Sequence, residues 1–234
     1  MLFRQLFDAE SSTYTYLLAD RATQTAILID PVLEQVERDL KLLFELGLTL
    51  KYCIETHIHA DHVTGAGVLR NETNCLGLVP IGSGVQNIDR ELQDNEVLEL
   101  GSIYLKAMAT PGHTESHMAY LINHTQVLTG DALFIRGCGR TDFQGGDPGV
   151  LFESVNQKLF SLPSSTLIYP GHDYRGHTVS TVGEEKQYNP RFANKDKAAF
   201  IELMMHLNLP LPKNMAQAVP ANLLGGQLKL KSSH

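Results

Sequence analysis

Within seven residues, Thr56-His57-Ile58-His59-Ala60-Asp61-His62 places three imidazoles and a carboxylate directly after the apolar run Tyr52-Cys53-Ile54. Imidazole and carboxylate are the side chains that hold borderline divalent metals. A strand carrying its side chains in period two would point His57 and His59 the same way, so that both reach one ion. Asp61 then stands where a helix N-cap is wanted, ahead of a helix from about His62 to Arg70. The stretch reads as a strand end, a ligand-bearing turn and a helix start.

The same event recurs along the chain. An apolar strand gives way to His113 in Thr110-Pro111-Gly112-His113-Thr114, to Asp131 after Gly130, and to His172 in Pro170-Gly171-His172-Asp173. Taken singly, each reads as a turn histidine, a helix cap or a hydrogen-bonded core residue. Together they are more, because neighbouring strand ends in a layered α/β sheet lie along one edge and converge on one cleft. Each turn contains or adjoins Gly or Pro, which lets backbone approach the site closely. Spacing alone suggests two metals: His57, His59 and His113 on one, Asp61, His62 and His172 on the other, with Asp131 bridging. That arrangement can generate a metal-bound hydroxide. His117, His124, His177, His206 and His234 lack the strand-to-turn placement and are expected to be structural or on the surface.

The elements that must position these residues alternate β and α. Tyr14–Leu18 and Ala26–Ile29 form a hairpin, stopped by Asp30-Pro31, where Asp30 is expected to serve the turn or, as the lesser alternative, to contact a metal ligand from outside. A helix follows over Glu34–Leu46, with Gly47 at its C′ position. Later come a hairpin around Gly101-Ser102, strands over Met118–Ile122 and Val127–Thr129, and an amphipathic helix over Leu151–Leu162. A short buried strand, Thr166–Tyr169, precedes helical patterns near Val179–Tyr188 and Lys195–Leu207 and a Pro-rich tail.

Apolar residues make up 43% of the 234, enough for a packed core, and a net charge of -7 argues against a general nucleic-acid binder. No apolar stretch approaches the length of a membrane span, and Met1-Leu2-Phe3-Arg4 opens neither a signal peptide nor a transit segment. Three scattered cysteines, Cys53, Cys75 and Cys138, suit a reducing compartment, so a soluble, cytoplasmic protein is expected.

The T-H-x-H-x-D-H signature at 56–62, with His113, Gly130-Asp131 and Gly171-His172, resembles the metallo-β-lactamase superfamily. The resemblance implies an α/β fold, a four-layered αββα sandwich with a metal cleft at one edge of its two sheets. A single such domain over 1–234 is expected, with a C-terminal helical and Pro-rich extension from about 176. Leu133-Phe134-Ile135-Arg136-Gly137-Cys138-Gly139-Arg140-Thr141-Asp142 and Ile168–Tyr174, continuing to Asn189-Pro190-Arg191, are similar to the persulfide dioxygenases. That family oxidises glutathione persulfide with dioxygen to sulfite and glutathione. It implies one Fe(II) per subunit, held by His57, His113 and Asp131, the two-imidazole, one-carboxylate set of non-haem iron oxygenases. His59, Asp61, His62 and His172 then become outer residues, or a second metal position. Glutathione carries two carboxylates, so Arg140 is the first substrate-binding candidate, with Tyr174 and Arg175 beside it. Arg136 is expected to order its loop. The resemblance favours a homodimer. The alternative is a glyoxalase II-like hydrolase, cleaving S-acylglutathione through a di-metal-bound hydroxide in the same cleft.

Overall fold

The computed structural model describes residues 1–212 and 214–226; His234 lies outside them. Two six-stranded mixed sheets lie face to face. The first runs in chain order, β1 (Leu2–Asp8), β2 (Thr13–Asp20), β3 (Thr25–Ile29), β4 (Thr49–Ile54), β5 (Leu76–Pro80) and β6 (Arg90–Leu92). β1 to β3 pair antiparallel; β3 to β6 pair parallel, which requires the crossovers that carry α1 (Val36–Glu45) and α2 (Ala66–Thr73). The second sheet comprises β7 (Val97–Leu100), β8 (Ile103–Ala109), β9 (Met118–Ile122), β10 (Gln126–Gly130), β11 (Leu167–Pro170) and β12 (Ser180–Thr181), in reversed order from β12 to β7. The other helices are α3 (Pro148–Ser154), continued by a π-helical stretch over Val155–Leu159, α4 (Val182–Tyr188), α5 (Lys197–Met205) and α6 (Met215–Asn222), and a 3-10 turn over Leu33–Gln35 leads into α1.

Strand alternation produces the layers. On β2 every residue is buried, but Tyr14, Tyr16 and Leu18 point into the space between the sheets, while Leu17 and Ala19 face the α1 and α2 layer. Leu105, Tyr120, Ile122 and Leu128 meet the first set from the second sheet. Its other face, with Ala119, Leu121, Val127 and Ile168, packs under Leu151 and Val155 and under Phe200 and Met204 of α5. This is the expected αββα sandwich.

Three local expectations differ. The first strand, β1, and the short β5 and β6 are additional elements. The second helix begins at Ala66 rather than His62, because residues 55–64 form an open loop whose imidazoles face the cleft, and Asp61 is spent on His62 and His172 rather than on capping. The tail holds α6, with Pro220 inside it.

At one edge the sheets are tied by backbone hydrogen bonds from Tyr14 N–H to the Gly171 carbonyl (2.8 Å) and from Met118 N–H to that of Thr56 (2.8 Å), while Gly171 N–H donates to the Gly130 carbonyl (2.8 Å) at the ends of the paired β10 and β11. The C-terminal ends of β4, β8, β10 and β11 therefore meet there, as strand-end turns must if they are to share one site.

Candidate metal centre

His57 lies three residues beyond β4, His113 in the β8–β9 turn and Asp131 directly after β10. All three are buried, and one ligand atom from each lies within 4.8 Å of the others. Asp131 Oδ2 stands 3.5 Å from His113 Nε2 and 4.0 Å from His57 Nε2.

The other ring nitrogens explain why the Nε2 atoms face inward. His57 Nδ1 lies 2.8 Å from Thr56 Oγ1, which itself donates to Asp30 Oδ2 (2.8 Å). The Thr56 hydroxyl is thereby left to accept, so His57 carries its proton on Nδ1. His113 Nδ1–H donates to the Arg140 carbonyl at 2.6 Å. Both imidazoles present a bare Nε2 lone pair to the carboxylate, the tautomer a metal ligand needs. Burial pushes both below their ordinary range, which keeps them neutral. The donor set fits a divalent cation.

Asp30 therefore does more than serve its turn: its carboxylate accepts from Thr56 N–H (2.7 Å) and stands 3.1 Å from His59 Nε2. Burial opposes protonation of His59, yet Asp30 and Glu55 together push it up to about 10.

His59, Asp61, His62 and His172 form a second group of donors within the same span. His172 is central to it, with Nδ1 2.6 Å from Asp131 Oδ1 and Nε2 2.9 Å from Asp61 Oδ2. Burial opposes its charge, but the two carboxylates hold the His172 imidazole well above its usual value. Burial likewise opposes ionisation of Asp131, and the adjacent His172 outweighs it and holds the carboxyl low. The expected seven-residue set thus assembles as two adjoining groups joined through Asp131 and His172.

Backbone closeness is visible at Gly139 and Gly171. A Cβ on Gly139 would fall 2.5 Å from the Asp131 carbonyl oxygen and 2.6 Å from His113 Nδ1; one on Gly171 would fall 2.6 Å from Asp131 Oδ1. Glycine lets the loops close over the ligands.

Of the substrate-binding candidates, Arg140 is clasped by both Asp142 oxygens (2.6 Å each) and donates to the Pro210 carbonyl (2.6 Å). Tyr174 is 70% exposed, its ring parallel to that of His172 within 7° at 6.2 Å between centroids. The Arg175 side chain is exposed; its backbone N–H donates to Asp173.

Two supporting residues lie outside the sequence expectations. Asn222 of α6 donates to the His59 and His62 carbonyls (2.9 Å each) and accepts from Thr64 N–H (2.8 Å), buckling the ligand loop from the far end of the chain. His117 accepts from Asp131 N–H at Nε2 (3.0 Å), and its Nδ1 lies 2.8 Å from the Thr110 hydroxyl. Burial pushes His117 down to about 3 from an ordinary 6.5. Between those values the unfolded chain binds a proton that the folded chain refuses. This contribution to stability is full above about pH 6.5 and falls as pH drops toward 3, by up to about 1.4 kcal/mol per pH unit. His117→Gln is expected to flatten the unfolding free energy between pH 7 and pH 5, measured in denaturant. A slope equal to that of the unmodified chain would refute it.

The metallo-beta-lactamase superfamily profile matches residues 9–172. The human mitochondrial persulfide dioxygenase ETHE1 is 48% identical over 228 residues, covering 97% of this chain and 89% of that one. The chain belongs to the persulfide dioxygenase family, within the metallo-β-lactamase superfamily. The crystal structure of ETHE1 from Myxococcus xanthus superposes with a TM-score of 0.94 at 49% identity, covering 97% of this chain and all of that one (100%). A Staphylococcus aureus metallo-beta-lactamase superposes at 0.89 with 28% identity, over 99% and 75% of the two chains. The α/β sandwich and its clustered His and Asp ligands are thus those of a metalloenzyme family.

Proposed function

We propose that this chain is a persulfide dioxygenase, oxidising the outer sulfur of glutathione persulfide with dioxygen to sulfite at one Fe(II) held by His57, His113 and Asp131. The reaction balances as one persulfide, one dioxygen and one water giving glutathione, sulfite and two protons. Fe(II) held by His57, His113 and Asp131 would supply the electron-transfer chemistry that dioxygen requires to react with sulfur. The observation that carries the reading is the pair of bare Nε2 atoms turned on one oxygen of Asp131, with the other oxygen engaged by His172. Identity of 48% to named persulfide dioxygenases supports it.

The remaining residues act on substrate and on protons. His172, charged between Asp131 and Asp61, places a cation beside the ligands where a second metal would otherwise balance two carboxylates. Arg140 reaches from the loop whose carbonyl fixes His113, and its bidentate hold on Asp142 supports a role in clasping a substrate carboxylate. The glycyl or glutamyl carboxylate of glutathione takes that place, with Tyr174 and Arg175 on the opposite loop to meet the peptide. Arg140→Ala is expected to raise KM for glutathione persulfide about 10- to 100-fold, the worth of one charge-assisted pair, with a smaller change in kcat. Arg140→Lys recovers little of it, because an ammonium cannot form the fork. An unchanged KM would remove Arg140 from the binding site.

The decisive experiment is oxygen uptake and sulfite release by iron-loaded protein supplied with glutathione persulfide. Absence of both ends the proposal. The second donor group keeps a hydrolase reading as the alternative, and anaerobic cleavage of S-acylglutathione by zinc-loaded protein is its signature. Residues 1–234 act as one domain in this reading, supported by the hold of Asn222 on the ligand loop. A homodimer in the cytoplasm completes the proposal. Exposed Leu209 and Leu211 offer apolar surface for the partner, and the unpaired cysteines suit that compartment. No helix among the described residues is long and apolar enough to cross a membrane.

A further inference from the structure

Cys53 on β4 and Cys75, one residue ahead of β5, are unpaired, buried thiols whose sulfurs are 3.6 Å apart. Neither belongs to the metal centre. Cys53 lies on the helix-covered face of its sheet, in the cluster of Leu28, Leu50 and Leu69. Cys75 lines a surface cleft of about 420 Å³, together with Arg70, Asn71, Asn87 and Asp89. Cys75 is thus the member of the pair on the cleft side, and Cys53 lies against it on the core side.

The pair is also asymmetric. The hydrogen bond from Cys53, with burial opposing it and the Thr73 hydroxyl and Arg70 guanidinium assisting, brings Cys75 down to about 7. The same bond, with burial, holds Cys53 as the thiol. Thiolate is the reactive form, so Cys75 is the attacking sulfur and Cys53 the resolving one. Cys138, by contrast, is pushed up to about 12 by burial. Cys75 follows Asn74, whose φ is 57°, and precedes the first β4–β5 pair, Tyr52 with Leu76. It sits outside the ladder and can shift toward its partner without breaking a strand pair.

We propose that Cys53 and Cys75 form a redox-active dithiol beside that cleft, a modification site that hydrogen peroxide converts to a disulfide. The Cys75 thiolate attacks one peroxide oxygen. The O–O bond breaks, the departing hydroxide takes a proton to become water, and Cys75 is left as a sulfenic acid. The Cys53 sulfur then attacks the sulfenic sulfur; the S–O bond breaks and the hydroxyl leaves with the Cys53 proton as a second water. Two thiols give up two electrons and two protons, and the peroxide becomes two waters. The bridge closes a loop over residues 54–74, which contains His57, His59, Asp61, His62 and α2. Both feet of the ligand-bearing segment become covalently tied.

Trypsin separates the two thiols cleanly, since cleavage after Lys51, Arg70 and Arg90 puts Cys53 in peptide 52–70 and Cys75 in peptide 71–90. The full chain is exposed to hydrogen peroxide in native buffer, quenched with catalase, alkylated and digested without reductant. The expected result is an intact mass lower by two hydrogens and a 52–70/71–90 cross-link that reduction removes. Cys53→Ala is expected to leave a sulfenic acid on Cys75, trapped by dimedone, and Cys75→Ala to slow oxidation of Cys53 ~10-fold or more. Peroxide adding oxygen to Cys75 in the unmodified chain without a cross-link, Cys138 reacting first, or a cross-link that forms only after denaturation would each overturn the proposal.

Discussion

Asp131→Ala is expected to remove bound iron and persulfide oxidation together, lowering oxygen uptake about 1000-fold or more, since a bound metal supplies several kcal/mol of stabilisation to the reacting charges. The size of the effect follows from how many partners one side chain serves. Oδ2 faces both His57 Nε2 and His113 Nε2, and Oδ1 binds His172 Nδ1 at 2.6 Å. Alanine removes the only anionic member of that ligand group and leaves His172, charged and buried, with Asp61 alone. Asp131→Asn separates charge from shape, because the amide keeps the contact with the pocket but loses the carboxylate. Asparagine is expected to bind iron more weakly than the unmodified chain and more tightly than alanine. Metal analysis after iron loading, beside oxygen uptake, checks both variants. Full iron content with full uptake in Asp131→Ala would mean that the metal is held elsewhere.

His113, Asp131 and His172 were legible in the sequence because each follows an apolar run and a Gly, and His57 because it follows such a run and opens a cluster of ligand types, local patterns that survive without knowledge of the fold. Their convergence needed only the rule that strand ends share an edge, and β4, β8, β10 and β11 meet there. The residues that hold them were not legible for a common reason: their partners are backbone atoms or side chains far along the chain. Asn222 binds carbonyls about 160 residues away, and His117 accepts from the N–H of Asp131. Nothing in the spacing of either marks that contact. Asn222 did carry one faint signal, an amide set between Ala221 and Leu223 at the buried end of an apolar stretch. α6 was obscured by Pro220, which propensity places outside a helix interior, while β5 and β6 are too short for alternation to show. The helix expected at His62 failed because a carboxylate before an apolar run reads as a cap whether or not two imidazoles compete for it.

The largest expected loss of stability away from the ligands is at Glu185, whose replacement by alanine should lower the unfolding free energy by about 2 kcal/mol or more, the cost of leaving buried donors without their acceptor. Glu185 is fully buried on α4. Oε2 accepts from Arg136 N–H (2.8 Å) and Asn189 Nδ2 (2.9 Å), and Oε1 from Ser180 Oγ (2.6 Å) and the Arg136 guanidinium. Removing it takes an acceptor from four donors; Asn189 Nδ2 keeps the Gly137 carbonyl (3.0 Å) and the Arg136 guanidinium keeps Glu184 and access to water, so the Arg136 N–H and the Ser180 hydroxyl bear most of the loss. Arg136 sits at φ 59° at the head of the Gly-rich loop, so the carboxylate fixes both a side chain and a strained backbone. That loop leads to Arg140, whose carbonyl sets the His113 tautomer, so weaker iron binding should accompany the loss of stability. Glu185→Gln keeps one acceptor oxygen and should recover part of the loss. Adding Arg136→Ala to Glu185→Ala should cost less than the sum of the single changes, because the pair is lost only once. Denaturant unfolding of the four variants, with iron affinity measured on each, checks the chain of contacts. Strict additivity would mean that Arg136 and Glu185 do not act as a pair.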